Sequence, residues 1–386
     1  MRLVIFGLTI SSSWGNGHAT LWRALCRGLA ALGHEVTFFE RDVPYYAHAR
    51  DAEHPDGCDL RLYSEWNDVA ASARTALDDA DVGMVTSYCP DGVSACDMVL
   101  NSRVQSKVFY DLDTPVTLSR LRGGERVSYL PEYGLSEFDL VLSYTGGRAL
   151  DELQNRLGAR AVAPLYGSVD PEVHRPTAGN RRFACDMSYL GTYSADRQDT
   201  LDRLFLQVAD RRHASRFVLA GSQYPEGFAW KPNVYYVWHL TPAEHPSFYC
   251  SSALTLNVTR GPMAEMGYCP SGRLFEAAAC GATIVTDAWE GLDQFFEPGE
   301  EILVASTTDE ALRAIDLDPW ERRAIGQRAL ERTLDCHTAT ERARDLERIL
   351  NRSLYVGDRP GSGAGEPNPT AGVFEGAAPG RKPQRW

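Results

Sequence analysis

The stretch RLVIFGLTISSSWGNGHATLWRALCRGLAALGHEVTFFE, residues 2–40, decides the fold class. Residues 2–8 form a continuous apolar run, which predicts a strand buried on both faces of a sheet. A polar, glycine-rich loop follows at residues 11–18, and apolar side chains then recur at helical spacing from Ala19 to Leu32. Residues 35–40 read as the next strand. Strand, glycine loop, helix and strand together predict a βαβ unit of a parallel sheet.

The same alternation of strands and helices continues along the rest of the chain. The first half has further strand-like segments at VGMVTSY (82–88), SKVFYDLD (106–113), DLVLSYT (139–145) and ARAVAPLY (159–166). A second series consists of CDMSYLGT (185–192), RFVLAGS (216–222), NVYYVWHL (233–240), SALTLNVT (252–259), GATIVTD (281–287) and EEILVAS (300–306). Both halves are therefore expected to be doubly wound, Rossmann-like sheets that face a central cleft.

The predicted domain limits follow from changes in amino-acid composition and in the content of turn-forming residues along the chain. The segment GSVDPEVHRPTAGNRRF, residues 167–183, is rich in turn and breaker residues, so we place the boundary there. The predictions are an N-terminal domain over residues 1–172 and a C-terminal domain with terminal helices over residues 173–356. Residues 357–386 are dominated by Gly, Pro, Ala and charged residues and predict a disordered tail.

Composition excludes several classes of protein. The net charge of −13 argues against extended binding to a nucleic-acid backbone, although a local basic pocket for one diphosphate remains compatible with it. The nine cysteines contain no Cys-x-x-Cys pair, which favours free thiols over a disulfide framework or a zinc site. The N-terminal apolar run is too short to span a membrane, no later window is long enough, and no signal-peptide pattern is present. We therefore expect a cytoplasmic protein without a transmembrane segment.

The segment SGRLFEAAACGA, residues 271–282, is the strongest candidate for a ligand site. Ser271 is a possible N-cap, helix formers follow, and Gly281 ends the predicted helix. The unpaired N–H groups and positive dipole of a helix N-terminus suit a diphosphate. Glu276 lies a little over one turn into the helix and has the acceptors to bind two ribose hydroxyls. Position alone is equally compatible with a solvated acid favoured by the helix dipole.

This segment also carries a family resemblance. RLFEAAACG, followed by DAWEGL and FEPGEEIL, resembles the donor-binding region of CgeB-like glycosyltransferases, which are related to glycosyltransferase family four. Other stretches are also similar to that family, including FDLVLSYTGG, SYLGTYSADRQ and HTATERA, and the resemblance covers roughly residues 1–350. It implies a GT-B fold, a nucleotide-diphosphate sugar as donor, and hexosyl transfer, with Glu276 binding the donor ribose. A UDP-sugar is favoured as co-substrate, and no other cofactor is expected.

One position departs from the family pattern. Many family-four enzymes carry a second glutamate near the donor sugar, and the corresponding position here is Tyr268. Glu265, the nearest acid, has the wrong spacing. Either backbone groups of residues 267–271 take over that role or the donor sugar is held differently.

Three arginines are candidates for binding the donor phosphates. GTYSADR, residues 191–197, follows the first strand of the C-terminal half, and Gly191 allows a close approach of the backbone. In the resembling family this region contacts the phosphates, a role that fits Arg197, because a guanidinium is a fixed cationic fork for a departing diphosphate. Arg260 and Arg273 rank slightly below Arg197. A surface arginine at a helix start is the alternative for Arg197.

The loop SSSWGNGH, residues 11–18, is the third candidate. Gly15 and Gly17 permit close approach of the donor, and His18 is a candidate general base for an acceptor hydroxyl. A histidine that bonds locally at the helix start is the alternative. The loop is not GxGxxG, so Glu40 at the end of the next strand supports an NAD-dependent oxidoreductase only weakly.

The segment YDLDTP, residues 110–115, contains an Asp-x-Asp pair. Such a pair holds a metal in GT-A transferases, but two parallel-sheet domains conflict with that fold. We therefore assign Asp113 to the catalytic side of the cleft, in contact with acceptor or donor sugar, and predict no metal.

The resemblance implies transfer with retention, in which the leaving diphosphate helps to take the acceptor proton. The alternative mechanism for a glycosyltransferase is transfer with inversion, in which His18 acts as the general base. The rival functions are a nucleotide-sugar epimerase of the same fold, which needs no acceptor, and a non-catalytic nucleotide-sugar-binding protein. The acceptor, whether glycan, protein or small molecule, is not specified by the sequence.

Overall fold

The computed structural model describes residues 1–357, which form two parallel β-sheets covered by helices. The strands of the first sheet are β1 (Arg2–Gly7), β2 (Glu35–Arg41), β3 (Asp59–Tyr63), β4 (Val82–Thr86), β5 (Ser106–Asp111), β6 (Leu140–Ser143) and β7 (Val162–Pro164). The strands of the second are β8 (Cys185–Leu190), β9 (Phe217–Gly221), β10 (Val234–Trp238), β11 (Ser252–Asn257), β12 (Ile284–Thr286) and β13 (Leu303–Val304). The predicted α/β class with two doubly wound sheets is confirmed.

Helices connect the strands. In the first half they are α1 (His18–Ala31), α2 (Pro44–Ala47), α3 (Trp66–Asp78), α4 (Gly92–Leu100), α5 (Thr114–Arg122) and α6 (Arg148–Leu157). In the second half they are α7 (Gln198–Leu201), α8 (Gln207–Arg211), α9 (His245–Tyr249), α10 (Gly261–Met266), α11 (Gly272–Ala279), α12 (Thr308–Asp316), α13 (Pro319–Cys336) and α14 (Ala339–Gly357). A π-helical turn, Asp202–Leu206, joins α7 to α8.

The strand orders are β3-β2-β1-β4-β5-β6-β7 and β10-β9-β8-β11-β12-β13. Neighbouring strands are parallel throughout both sheets, so each sheet has one point where the chain reverses direction across it. These switch points lie between β1 and β4 and between β8 and β11. Ligands of open α/β sheets bind outside the carboxyl ends of the strands at such points, so the loops that follow these four strands define the candidate site.

One strand differs from the prediction. β3 is an edge strand whose first four residues are exposed or only partly buried. Because its sequence, DLRLY, alternates charged and apolar residues over only five positions, it lacks the long apolar run that marks the other strands.

The chain crosses between the two halves twice, and the two crossing segments pair with each other. Val169 donates its N–H to the carbonyl of His337 at 3.0 Å, and Ala339 donates to the carbonyl of Val169 at 2.7 Å. After the second crossing, α14 packs against α1 of the first half, and Leu346 and Leu350 are completely buried there. The predicted limits group this terminal helix with the C-terminal domain, whereas its packing partner is the N-terminal sheet.

The disordered tail was predicted over residues 357–386. Gly357 ends α14, and the rest of that segment, from residue 358, lies outside the described residues. Within residues 1–357, no helix is both long and apolar enough to cross a membrane.

The contact between α1 and the second crossing generates a testable prediction. A Cβ atom added at Gly28 would lie 2.5 Å from the carbonyl oxygen of Ala339, which is backbone and has little room to move. Gly28→Ala should therefore lower the free energy of unfolding by about 1–3 kcal/mol, despite the better helix propensity of alanine. Urea denaturation measures the change. Gly227→Ala is the matched control, because a Cβ there meets no atom within 4 Å, and equal stability of the two variants would contradict the packing argument.

Candidate functional site

Loops from both domains meet across the cleft at the carboxyl ends of the strands. The Trp14 ring, in the loop after β1, lies 5.4 Å from the ring of Trp238 and 4.6 Å from that of His239, at the end of β10. Close by, Gln223 donates a hydrogen bond of 3.2 Å to the hydroxyl of Tyr45. The two walls of the site therefore touch through aromatic side chains at this edge.

A buried acid holds the glycine-rich loop in place. Glu40, at the end of β2, is completely buried. It accepts hydrogen bonds from the Thr9 hydroxyl (2.9 Å), the backbone N–H groups of Ile10 (2.7 Å) and Ser11 (3.0 Å), and the Ser11 hydroxyl (2.6 Å). Because its carboxylate is satisfied by the loop itself, Glu40 has the environment of a structural residue rather than of a dinucleotide-binding acid.

Asn16 fixes the transition from this loop into α1. Its side-chain oxygen accepts the backbone N–H groups of His18 (3.0 Å) and Ala19 (3.2 Å), so it satisfies two donors of the first helical turn. The two predicted glycines differ in their surroundings. Gly15 has a left-handed φ of +64°, whereas Gly17 is exposed and a Cβ there would meet nothing within 4 Å.

The two predicted catalytic residues lie side by side on the N-terminal wall. His18 Nε2 is 3.4 Å from an oxygen of Asp113, and the two side chains are 14% and 19% exposed. The ring of Tyr88 lies edge-on to His18 at 5.6 Å. The Nδ1 atom of His18 has no hydrogen-bond partner among the described residues. A carboxylate on one ring nitrogen and an unpaired second nitrogen is an arrangement that can accept a proton from a bound hydroxyl group.

A second acid, Asp111, lies beneath this pair. It is fully buried, and one oxygen accepts the N–H of Asp113 (3.0 Å) and the hydroxyl of Thr117 (3.2 Å). The other oxygen has no partner within the described part of the chain. Burial raises the pKa of Asp111 from 3.8 to about 6, and these hydrogen bonds only partly offset the increase.

The C-terminal wall is built on α11, which spans Gly272–Ala279. Ser271 occupies the N-cap position as predicted, but its hydroxyl makes no capping hydrogen bond, which leaves the first N–H groups of the helix available to a ligand. Gly281, with a φ of +71°, follows the C-cap Cys280 and ends the helix as predicted. Glu276 lies in the second turn, and its side chain is 15% exposed.

Two histidines surround Glu276. His245, at the start of α9, places Nδ1 at 3.6 Å from a Glu276 oxygen, and His174 comes from the first crossing segment between the domains. Burial alone would raise the pKa of Glu276, but its interactions with His174, His245 and Arg273 outweigh this effect and lower that pKa to about 2. Glu276 is therefore a carboxylate at neutral pH, as a ribose-binding acid must be.

The three candidate arginines have different partners. Arg260 forms an ion pair with Asp196 at 2.9 Å, so part of its charge is already compensated. Arg197 donates to the Thr192 carbonyl at 3.3 Å, and Arg273 donates to the Asn257 side chain at 3.3 Å. Within the described residues, neither Arg197 nor Arg273 forms a salt bridge as Arg260 does. Both therefore retain more charge for an anionic ligand.

Gly191 brings two loops of the C-terminal wall into close contact. A Cβ added at Gly191 would lie 2.7 Å from the Tyr189 hydroxyl and 3.2 Å from a guanidinium nitrogen of Arg273, so both side chains lie directly against the loop after β8. The ring of Tyr189 lies 5.5 Å below the same guanidinium group. Arg273 is thus positioned by both the glycine loop and an aromatic face.

Tyr268, the departure from the family pattern, is used as an interdomain contact. Its ring lies between Gly147 of the N-terminal half and Gly291 of the C-terminal half, where an added Cβ would come within 2.3 Å of ring carbons in each case. Its carbonyl oxygen accepts the N–H of Gly146 at 3.0 Å, and its N–H donates to the carbonyl of Glu290 at 2.6 Å. The residue at the glutamate position therefore joins the domains.

Sequence reasoning missed the functional neighbours of Glu276. His174 and His245 are separated from it by 102 and 31 positions, and neither lies in a motif that marks a ligand site. The contact of Trp14 with Trp238 was also not anticipated. The only signal was that both tryptophans lie near the carboxyl end of a strand, Trp14 in the loop after β1 and Trp238 as the last residue of β10.

Comparisons with known proteins agree with this architecture. Residues 197–348 match the family described as glycosyl transferase-like, and this range contains α11 and all three candidate arginines. None of the curated proteins gives a significant match. Sucrose-phosphate synthase from Thermosynechococcus elongatus has a similar structure, with a TM-score of 0.67 at 15% identity, over 92% of this chain and 100% of that one.

Two further similar structures are complexes with a nucleotide sugar. HepE from Anabaena, in complex with UDP-glucose, gives a TM-score of 0.64 at 11% identity, over 91% of this chain and 100% of that one. An alpha-glucosyltransferase in complex with UDP-glucose and DNA gives 0.64 at 14% identity, over 91% and 99% of the two chains. The fold is therefore GT-B, and residues 197–348 are similar to the glycosyl transferase-like family. The CgeB-like assignment stays a prediction.

The environment of Asp111 gives a pH-dependent prediction. Because its pKa is higher in the folded state, the native protein binds the proton more tightly, and stability decreases as pH rises through about 6. Asp111→Asn removes this dependence, so its stability relative to wild type should be about 1–1.5 kcal/mol higher at pH 8 than at pH 5. Urea denaturation at both pH values measures the difference. The exposed Asp78→Asn is the control, and a pH-independent effect of Asp111→Asn would contradict the burial argument.

Proposed function

We propose that this chain transfers a hexose from a nucleotide-diphosphate sugar, with a UDP-sugar favoured, to an acceptor hydroxyl group. The observation that carries the proposal is Glu276, a carboxylate in the second turn of a helix whose N-terminus lies at the cleft. Glu276 also lies inside the range that matches the glycosyl transferase-like family. Within the glycosyltransferases we place the chain in the CgeB-like group, acting in the cytoplasm.

In the proposed donor site, the nucleotide sugar is bound by Glu276, by the N-terminus of α11 and by the candidate arginines. Glu276 accepts hydrogen bonds from the ribose hydroxyls, and the uncapped N-terminus of α11 faces the diphosphate. Arg197 and Arg273 supply positive charge that stabilises the diphosphate as it leaves. Arg260 contributes less positive charge to the diphosphate, because it is already paired with Asp196. This assignment compensates the phosphate charge without a metal ion.

The proposed acceptor site is the opposite wall, where His18 and Asp113 are adjacent. In the retaining reaction, the bond between the anomeric carbon and the diphosphate oxygen breaks, and the acceptor oxygen bonds to that carbon on the same face. The acceptor proton passes to the leaving diphosphate. His18 and Asp113 then orient the acceptor hydroxyl group, so their contribution is mainly one of position.

Donor binding can be tested with a thermal-shift panel of nucleotide sugars. A ligand at 100 times its dissociation constant should stabilise the wild type by about 2.7 kcal/mol. Glu276→Ala should abolish this shift, because the ribose loses its acceptor. Glu265→Ala is the matched control, since Glu265 is exposed and lies outside the proposed site. An unchanged shift in a folded Glu276→Ala protein would refute the ribose-binding role.

The stereochemistry can be tested without knowing the natural acceptor. The nucleotide sugar selected by the panel is incubated with the enzyme in water, which serves as a poor acceptor, and the first sugar released is observed by NMR before it mutarotates. We expect the anomer of the donor. Release of the opposite anomer would overturn retention and assign His18 as a general base, in which case His18→Ala should lower kcat by about 10²–10⁴-fold.

A further inference from the structure

The surroundings of Glu276 contain the ligand set of a metal site. One nitrogen from each of His174 and His245 and one carboxylate oxygen of Glu276 all lie within 4.8 Å of one another. The three residues come from different parts of the chain: the first crossing between the domains, the start of α9 and the second turn of α11. Their convergence is therefore a product of the fold and not of helical spacing.

One imidazole nitrogen of each histidine in this cluster has no hydrogen-bond partner among the described residues. His174 is 5% exposed, and its Nε2 atom has no hydrogen-bond partner within residues 1–357. The same holds for Nδ1 of His245, whose nearest polar contact is the 3.6 Å approach to Glu276. Buried polar atoms are normally paired, so an unpaired nitrogen on each of two histidines beside one carboxylate indicates a missing partner.

Two imidazoles and one carboxylate form a donor set for borderline divalent transition metals. Zn²⁺ binds such ligands at about 2.0–2.2 Å, which requires ligand atoms about 3.4 Å apart in a tetrahedral site. The ligand atoms lie within 4.8 Å of one another, and side-chain shifts of about 1 Å would bring them to the required separation. Mg²⁺ does not fit, because it prefers oxygen ligands and keeps several of its waters.

We propose that His174, His245 and Glu276 bind a divalent transition metal such as Zn²⁺ and that the bound metal excludes the donor nucleotide. A metal bound to Glu276 takes lone pairs of the carboxylate that would otherwise accept hydrogen bonds from the two ribose hydroxyl groups. The ion is therefore an inhibitor of the site and takes no part in transfer. Metal binding stands on the cluster alone, whereas the competition rests on the proposed function of Glu276.

Metal binding is tested first with Co²⁺, whose visible absorption reports coordination. We expect one Co²⁺ per chain with an intense, low-coordinate spectrum. His174→Gln and Glu276→Gln should each weaken binding at least about tenfold, the lower end of what even outer-shell changes cause. His213→Gln, in an exposed loop of the same domain, should bind as the wild type does. Absence of Co²⁺ binding, or an unchanged spectrum in His174→Gln, would overturn the proposal.

X-ray absorption of the zinc-loaded wild type provides a test that needs no variant. We expect the zinc ion to be coordinated by two imidazoles and by oxygen ligands. Sulfur ligands would overturn the assignment, because they would show that the ion is bound by cysteines.

Competition is tested by measuring UDP binding at a free Zn²⁺ concentration fixed by a metal buffer. Zn²⁺ should weaken UDP binding to the wild type. It should have little effect on UDP binding to His174→Gln, in which Glu276 is intact but a metal ligand is lost. Mg²⁺ should not compete. If UDP binds equally well with and without Zn²⁺ while the Co²⁺ spectrum is present, the inhibitory role is wrong. If UDP fails to bind in both conditions, the proposed preference for a UDP-sugar fails and the metal site stands.

Discussion

The pairing of the two crossing segments is the constraint on which the site depends. Val169 bonds to both His337 and Ala339, so the linker and the return of the chain are fixed against each other at one end of the cleft. Gly28 allows α1 to pack directly on this return. The chain leaves the N-terminal domain after Pro164, and α14 returns to pack against the sheet of that domain. The carboxyl ends of the two sheets therefore face each other in a limited range of orientations.

Two acids on opposite walls, Glu40 and Glu276, show how the same type of side chain can serve structure or function. Glu40 accepts four hydrogen bonds from backbone and hydroxyl groups of a single loop, which leaves it little capacity for a ligand. Glu276 is held ionised mainly by its interactions with His174, His245 and Arg273, and its closest polar contact is 3.6 Å long. A carboxylate stabilised by charge but short of direct donors still has lone pairs to offer. This difference, rather than burial, separates the candidate ligand-binding acid from the structural one.

The sequence predicted the parts of the fold that rest on local patterns. Continuous apolar runs identified every strand except β3, whose half-exposed edge position permits a mixed sequence. The helix at Gly272–Ala279 was predicted because its cap, helix formers and terminal glycine are contiguous. His174 and His245 could not be predicted beside Glu276, because their proximity is produced by long-range packing. The pairing of His18 with Asp113 lies between these cases, since they follow β1 and β5, which flank β4 in one sheet, although nothing local joins them.

Tyr268 connects the geometry of the domains to that of the proposed donor site. Its ring fills the space between Gly147 and Gly291, and its backbone bonds to Gly146 on one side and Glu290 on the other. A glutamate at this position would be too small to fill that space and would place a charge between the two domains at a desolvation cost. The residue also lies three positions before Ser271, at the approach to α11. Movement of one domain against the other would therefore displace the segment that leads to the helix N-terminus, so domain closure and the shape of the proposed phosphate site are linked through one aromatic side chain.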